Sequence, residues 1–112
     1  MIKELGKEFI GMGEVRGFKF VRIESLQHAY LYEVLSDDKM YYEVFKRVNS
    51  PVCIDFGKRL YSDTDFKETY PKSSQFGVNA WTYKDLESAI SKLVDINTNE
   101  IEKLKEADNG RK

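Results

Sequence analysis

The chain has 112 residues, of which 33% are charged, and its formal net charge at pH 7 is −1. A protein so close to neutral has no overall electrostatic attraction to nucleic acid or to an acidic membrane. No apolar run reaches the roughly 18 residues of a membrane span, and the N-terminal stretch lacks the apolar core of a signal peptide. The only cysteine, Cys53, excludes a disulfide within the chain. We therefore expect a cytoplasmic protein with one domain over residues 1–108 and a disordered tail at 109–112.

The first half of the chain has the pattern of an antiparallel meander. A short strand is predicted over residues 8–12, and a second begins at Phe18 and ends in a turn at 25–27. Two further strands, over residues 28–35 and 40–48, flank an Asp-rich turn and therefore predict a hairpin. Weaker patterns predict a short edge strand over residues 52–56, a mobile loop over 58–65 and a last strand over 66–70.

A well-defined amphipathic helix is predicted over residues 83–95. Thr82 and Asp85 form a capping pattern at its start. Its apolar positions have the spacing of one helical stripe: Leu86, Ala89, Ile90, Leu93 and Val94. We expect Phe76, Ala80 and Trp81 to pack beneath this stripe.

A break at residues 95–97 separates this helix from a second, shorter one, which Asn97 and Glu100 would cap and which would run to about residue 107. The sequence thus predicts an α+β fold in which an antiparallel meander of four or five strands is covered on one face by the amphipathic helix, with a second short C-terminal helix beside it.

The end of the predicted sheet and the start of the helix carry a resemblance. Its residues are Tyr70-Pro71-Lys72-Ser73, Phe76-Gly77, Ala80-Trp81-Thr82-Tyr83 and Leu86. This pattern resembles the C-terminal part of small domains without an assigned activity from phages and mobile elements of gut bacteria, which also carry a strand like residues 42–47 shortly before it. The resemblance implies a fold rather than a reaction.

Few residues are suited to catalysis or to metal binding. His28 is the only histidine and Cys53 the only thiol, and they fall on different predicted strands, His28 on what we take as an edge strand. Two such ligands are too few for a structural zinc site. The acids Asp63, Asp65 and Glu68 could hold Mg²⁺ or Ca²⁺ through oxygen, but solvated loop carboxylates are the simpler interpretation. We therefore predict no catalytic residues, no cofactor and no enzyme activity.

Two groups of residues suggest binding. Tyrosines on adjacent predicted strands would form a protein-interaction patch on a face that the helix leaves open, unless they pack into the core: Tyr30, Tyr32, Tyr41 and Tyr42. Basic residues interleaved with aromatic ones could instead bind a single-stranded nucleic acid: Lys58, Arg59, Lys67 and Lys72. The sequence predicts a non-catalytic interaction protein of a phage or mobile element, acting on a protein partner or on itself. The alternative is a nucleic-acid-binding module.

Overall fold

Two β-sheets and one long helix make up the part of the chain that the structure describes. The computed structural model describes residues 2–55 and 57–109, so Phe56, the predicted end of a strand, and residues 110–112 of the predicted tail lie outside it. The elements are β1 (Ile2–Lys3), β2 (Glu8–Ile10), β3 (Lys19–Ser25), β4 (Ala29–Ser36), β5 (Lys39–Lys46), β6 (Asn49–Asp55), β7 (Leu60–Glu68), β8 (Ala80–Tyr83) and α1 (Leu86–Asn109). The predicted α+β class is confirmed.

The larger sheet contains the predicted meander. Its strand order is β2-β3-β4-β5-β8, and every neighbouring pair is antiparallel. The hairpin between β4 and β5 closes at the pair Ser36–Lys39. Asp37 in its turn has a φ of 53°, a left-handed conformation that aspartate tolerates better than most residues. The prediction of this hairpin from its Asp-rich turn is confirmed.

A second sheet, of three strands in the order β1-β7-β6, was not expected from the sequence. The predicted loop over residues 58–65 is wrong, because most of it belongs to β7. A bulge there explains the loop-like composition, since the Ser62 Oγ accepts hydrogen bonds from the backbone N–H groups of Thr64 and Asp65. Pro51 lies inside β6 at the edge of this sheet, where a missing donor is tolerated.

The C-terminal helix is continuous, so the predicted break at residues 95–97 and the predicted second helix are both wrong. α1 has 24 residues, and the remaining helical segments of the described chain are 3-10 turns at Gly13–Val15 and Ser73–Gln75. Asn97 does not interrupt the helix because its side chain reaches out and accepts a hydrogen bond from the His28 backbone N–H at 2.8 Å. Within the described chain, no helix combines the length and apolar character needed to cross a bilayer.

Asp85, rather than Thr82, caps the start of α1. Thr82 lies in β8, whereas the Asp85 carboxylate accepts a hydrogen bond from the Ser88 backbone N–H at 2.9 Å. This bond holds the pKa of Asp85 below its usual value. The sequence therefore identified Asp85 correctly as part of the cap. The predicted cap residue Thr82 lies one turn too early in the chain.

The helix docks on the sheet through a narrower stripe than the sequence predicts. Its buried side chains are Ala89, Leu93 and Ile96, which pack on Ala29, Leu31 and Val44; we call this side of the larger sheet the helix face. Leu86, Ile90 and Val94 of the predicted stripe are 37–52% exposed. The observed stripe continues to Glu100, whose carboxylate lies 2.9 Å from the Lys46 ammonium of β5. This salt bridge helps to set the rotation of the helix, and the spacing of apolar residues in the sequence does not reveal it.

The opposite side of the larger sheet is rich in aromatic residues, and we call it the aromatic face: Phe20, Tyr30, Tyr32, Val34, Phe45 and Ala80. Because side chains alternate along a strand, Trp81 packs beneath the helix while its neighbour Ala80 points to the aromatic face. Phe76 also packs on the aromatic face. The expectation that Phe76 and Ala80 lie under the helix is therefore wrong, and the same expectation for Trp81 is confirmed.

Candidate ligand cavity

The four tyrosines of the predicted patch do not share an exposed surface. Tyr30 and Tyr32 are fully buried in the aromatic face. Tyr41 packs against the same face, whereas Tyr42, the next residue along β5, packs against the helix face. Tyr30 and Tyr32 therefore follow the alternative interpretation, in which the tyrosines pack into the core. Tyr41 and Tyr42 are half-buried, and a binding role for them stays a prediction.

An ionic cluster surrounds the buried Tyr30. Its ring lies between two guanidinium groups, with Arg22 at 4.6 Å and Arg47 at 4.5 Å from the ring centroid. Its hydroxyl donates a hydrogen bond to the carboxylate of Glu68. Glu68 in turn lies 2.6 Å from the Arg47 guanidinium and accepts a hydrogen bond from the Leu5 backbone N–H at 3.0 Å. The cluster therefore ties the N-terminal segment and β7 to the larger sheet.

The electrostatics of Glu68 follow from these partners. Burial alone would raise the pKa of its carboxyl, but the hydrogen bonds from Arg47, Tyr30 and Leu5 outweigh burial and lower it. Burial and the bond to Glu68 raise the pKa of Tyr30. Glu68 is therefore ionised and bound to a cation, which makes it a structural residue rather than the metal ligand considered from the sequence.

Beside this cluster, the aromatic face opens into a cavity of about 740 Å³. Its inner walls are apolar and come from Leu5, Phe9, Val15, Tyr70 and Phe76. Ile10 and Met12 line it with 57% and 81% of their surface exposed. We call this feature the Glu43 cavity, after the carboxylate that lines it together with these side chains.

Gly11 allows the wall of the cavity to fold tightly. A Cβ atom there would lie 2.2 Å from the Val15 carbonyl oxygen and 2.9 Å from the Phe20 ring. The Gly11 N–H donates to the Phe18 carbonyl at 2.7 Å, which closes the loop that carries the 3-10 turn over the sheet. Gly11 is thus required by a close approach of backbone to backbone.

Glu43 is the unusual residue of the cavity. It lies in the middle of β5, is only 2% exposed and accepts a hydrogen bond from the Tyr70 hydroxyl. Burial raises the pKa of its carboxyl, and hydrogen bonds from Tyr70 and Tyr41 only partly oppose this. Burial and the neighbouring Glu43 also raise the pKa of Tyr41 to about 12. A buried acid with a raised pKa in an apolar cavity has the features of a binding or active site.

Glu43 is not among the candidate residues predicted from the sequence, although a signal for it was present. Glu43 stands between Tyr42 and Val44 in an otherwise apolar stretch of strand, where a carboxylate must face one of the two cores. The pattern alone does not show which core receives it. It also does not show that Tyr70, 27 positions away, supplies the hydroxyl that it binds.

The basic residues predicted to bind nucleic acid are exposed but lie on three different segments. Lys58 and Arg59 are in the turn between β6 and β7, and Lys67 is on β7 beside Lys3 of β1. Lys72 is a lining residue of the Glu43 cavity. The strand β7 brings Lys67 beside another lysine, but the structure does not arrange the four residues along one strand or helix. Nucleic-acid binding by these residues stays a prediction.

The residues considered for catalysis are not assembled into a site. His28 directly precedes the central strand β4, so its expected place on an edge strand is wrong. Its Nε2 atom is buried and has no hydrogen-bond partner among the residues that the structure describes. Cys53 is half-buried in β6 of the other sheet. Over residues 2–55 and 57–109, no group of three or more His, Cys, Asp or Glu side chains is arranged to hold a metal ion.

Comparisons of the chain with protein-family models, with curated proteins and with solved structures find no match. The resemblance to domains of phages and mobile elements therefore stays a prediction from the residues that carry it.

Proposed function

We propose that this protein is a non-catalytic binding protein which acts through protein–protein contacts, and that its partner inserts a side chain into the Glu43 cavity. The observation that carries the proposal is an open, mostly apolar cavity with exposed Ile10 and Met12 along it. Exposed apolar residues beside a concave apolar site are typical of binding surfaces. Methionine suits such a surface because its flexible, polarisable side chain adapts to the ligand.

The polar groups of the cavity support binding rather than catalysis. Glu43 and Tyr70 are hydrogen-bonded to each other, and the lining contains serines but neither histidine nor cysteine. A serine nucleophile needs an adjacent base. Glu43 is the carboxylate among the lining residues, but it already accepts hydrogen bonds from tyrosine hydroxyls. This binding role suits a small protein of a phage or mobile element. Its partner would be a host or phage protein, including a component of a defence system.

Affinity capture with matched surface variants tests the proposal. The tagged protein is incubated with a lysate of the cells that naturally make it, and retained proteins are identified by mass spectrometry. We expect Met12→Glu to lose the stoichiometric partner, because a charge would block entry to the apolar cavity. Leu104→Glu, which changes an exposed apolar residue on α1, should retain it. A partner that binds both variants equally would exclude the cavity as the contact site.

The nucleic-acid alternative is separated in the same experiment. Binding through phosphates weakens steeply with salt, whereas insertion of a side chain into an apolar cavity does not. Nucleic acid retained at low salt, lost at moderate salt and lost in the double variant Lys58→Glu/Arg59→Glu would favour the alternative. A protein partner that survives nuclease treatment and moderate salt supports the main proposal.

A further inference from the structure

We propose that the Glu43 cavity recognises an organic ammonium group, supplied either by a small amine or by a lysine side chain of a partner protein. This inference names the chemistry of the occupant and so rests on the proposed function. It follows from the charge balance of the cavity, from the aromatic rings around it and from the contrast between Glu43 and Glu68.

Among the described residues, Glu43 has no cationic hydrogen-bond partner. A buried carboxylate is costly unless it is paired with a positive charge or strongly hydrogen-bonded. Glu68 meets this requirement through Arg47 at 2.6 Å, whereas the hydrogen bonds of Glu43 come from the neutral hydroxyls of Tyr70 and Tyr41. Among the described residues, the one cationic side chain that lines the cavity is Lys72, which is exposed. A positively charged ligand would supply the missing partner.

Aromatic rings line the cavity together with this carboxylate. Phe9, Tyr70 and Phe76 all line the cavity, with ring centroids 6.3 Å apart for Phe9 and Tyr70 and 6.4 Å apart for Tyr70 and Phe76. Ring faces attract cations within about 6 Å of their centroids, and groups of aromatic rings recognise substituted ammonium ligands in this way. The apolar walls suit the carbon skeleton of such a ligand. A buried carboxylate would repel a phosphate or carboxylate ligand.

Binding of an ammonium group to Glu43 should be coupled to the release of a proton. The ionisable groups that face Glu43 are the hydroxyls of Tyr41 and Tyr70, the Tyr32 side chain on β4 and Lys72 among the cavity lining, while its neighbour on β8 is the non-ionisable Thr82. Burial favours the protonated form of Glu43 in the empty cavity. An ammonium ligand would favour the carboxylate, so binding should release a proton and strengthen as pH rises from mildly acidic to neutral.

A fragment titration of the full chain tests this chemistry. Three probes of similar size and different charge are titrated at pH 7 and followed by two-dimensional NMR: benzylammonium, benzyl alcohol and benzoate. We expect benzylammonium to shift the resonances of Phe9, Glu43 and Tyr70, and to bind at least about tenfold more tightly than benzyl alcohol, as one charge-assisted hydrogen bond would require. Benzoate should bind most weakly. The benzylammonium affinity should fall when the titration is repeated at pH 5.

Variants separate the charge of Glu43 from the shape of the cavity. Glu43→Gln keeps an acceptor for the Tyr70 hydroxyl and should abolish the preference for benzylammonium over benzyl alcohol. Glu33→Gln changes a carboxylate on the helix face of the neighbouring strand β4 and should leave the preference unchanged. Lys72→Gln removes an exposed positive charge from the lining and should strengthen benzylammonium binding without affecting the fold.

The outcomes also distinguish the two sources and the two proposals. Tighter binding of Nα-acetyl-lysine methylamide than of benzylammonium would identify a protein side chain as the natural occupant, and the reverse order a small amine. Equal binding of benzyl alcohol and benzylammonium, or stronger binding of benzoate, would overturn the ammonium inference while leaving the cavity as a binding site. Failure of all probes to bind would overturn the inference and the cavity as the site of the proposed function.

Discussion

At the scale of single residues, the aromatic face holds two buried carboxylates whose surroundings have opposite effects. Glu68 has a guanidinium partner, and its pKa lies below the ordinary value of 4.5. In the described part of the chain, the hydrogen-bond partners of Glu43 are neutral, and its pKa lies above that value. The same residue type therefore stabilises the fold as an anion at one position and favours the protonated form at the other. This contrast predicts opposite dependences of stability on pH.

Replacing Glu68 by glutamine should destabilise the protein by about 2 kcal/mol at neutral pH, because the half-buried Arg47 keeps Glu4 but loses the charge-assisted hydrogen bond to its more buried anionic partner. A carboxyl whose pKa is lowered by folding stabilises the native state above its unfolded pKa. That contribution disappears as pH falls through the folded pKa. The free energy of unfolding of wild type and of Glu68→Gln, measured with urea between pH 7 and pH 3, should therefore converge towards the acidic end.

Glu43→Gln is the matched comparison and should show the opposite trend. A carboxyl whose pKa is raised by folding contributes its stability below the unfolded pKa and loses it as pH rises through the folded pKa. The variant should thus gain stability relative to wild type between about pH 4.5, the ordinary value, and neutral pH. If the stabilities of the two variants relative to wild type changed with pH in the same direction, the opposite pKa shifts assigned to Glu68 and Glu43 would be contradicted.

At the scale of elements, local patterns in the sequence predicted most of what local interactions determine. The hairpin of β4 and β5 follows from two apolar runs around an Asp-rich turn, and its two strands were predicted within about one residue at most ends. The existence and position of the C-terminal helix follow from its periodicity. The strand β7 was missed because its bulge is built from polar, turn-forming residues, including Ser62.

The side of the helix that docks was not predictable from apolar spacing alone. Leu93 and Val94 are both apolar and adjacent, yet Leu93 is 1% exposed and Val94 is 52% exposed. The difference arises from contacts beyond the helix, notably Lys46 with Glu100 and His28 with Asn97. These pairs join positions far apart in sequence, so the choice between neighbouring stripes depends on tertiary structure.

Alanine substitution at these two adjacent positions distinguishes the observed stripe from the one expected from sequence. Leu93→Ala should lower the free energy of unfolding by about 3 kcal/mol, because it leaves a cavity between α1 and the sheet. Val94→Ala should change it by less than about 0.5 kcal/mol, since the valine is largely exposed and alanine is the better helix former. Urea unfolding followed by circular dichroism measures both. Similar losses for the two variants would show that the helix is rotated towards the predicted stripe.

At the scale of the whole molecule, the N-terminal segment joins the two sheets. β1 pairs with β7 in the smaller sheet, while the next residues contact the aromatic face of the larger one. Tyr32 donates to the Gly6 carbonyl at 2.7 Å, and Arg47 lies 2.8 Å from Glu4. Leu5 then lines the Glu43 cavity. The sequence offered no sign of this arrangement, because the segment is short and carries no regular pattern.

Deleting residues 2–7 should therefore weaken the smaller sheet more than the larger one. Without β1, the strands β6 and β7 form a two-stranded ribbon, which is marginally stable by itself in water. Glu68 also loses the hydrogen bond from the Leu5 N–H. Hydrogen exchange measured by NMR should show that protection of the β6 and β7 amides falls at least about tenfold more, relative to the full chain, than protection of the β4 and β5 amides.

The central strands serve as the internal reference in this experiment, because β4 and β5 keep both of their neighbours in the larger sheet after the deletion. An equal loss of protection in all four strands would mean that the two sheets unfold as one cooperative unit. An unchanged profile would mean that the hairpin of β6 and β7 is held by its other attachments, such as the Thr69 N–H bonded to the Val48 carbonyl at 3.0 Å. The expected difference requires that β1 and the contacts of Glu4 and Leu5 are what hold the smaller sheet against the aromatic face.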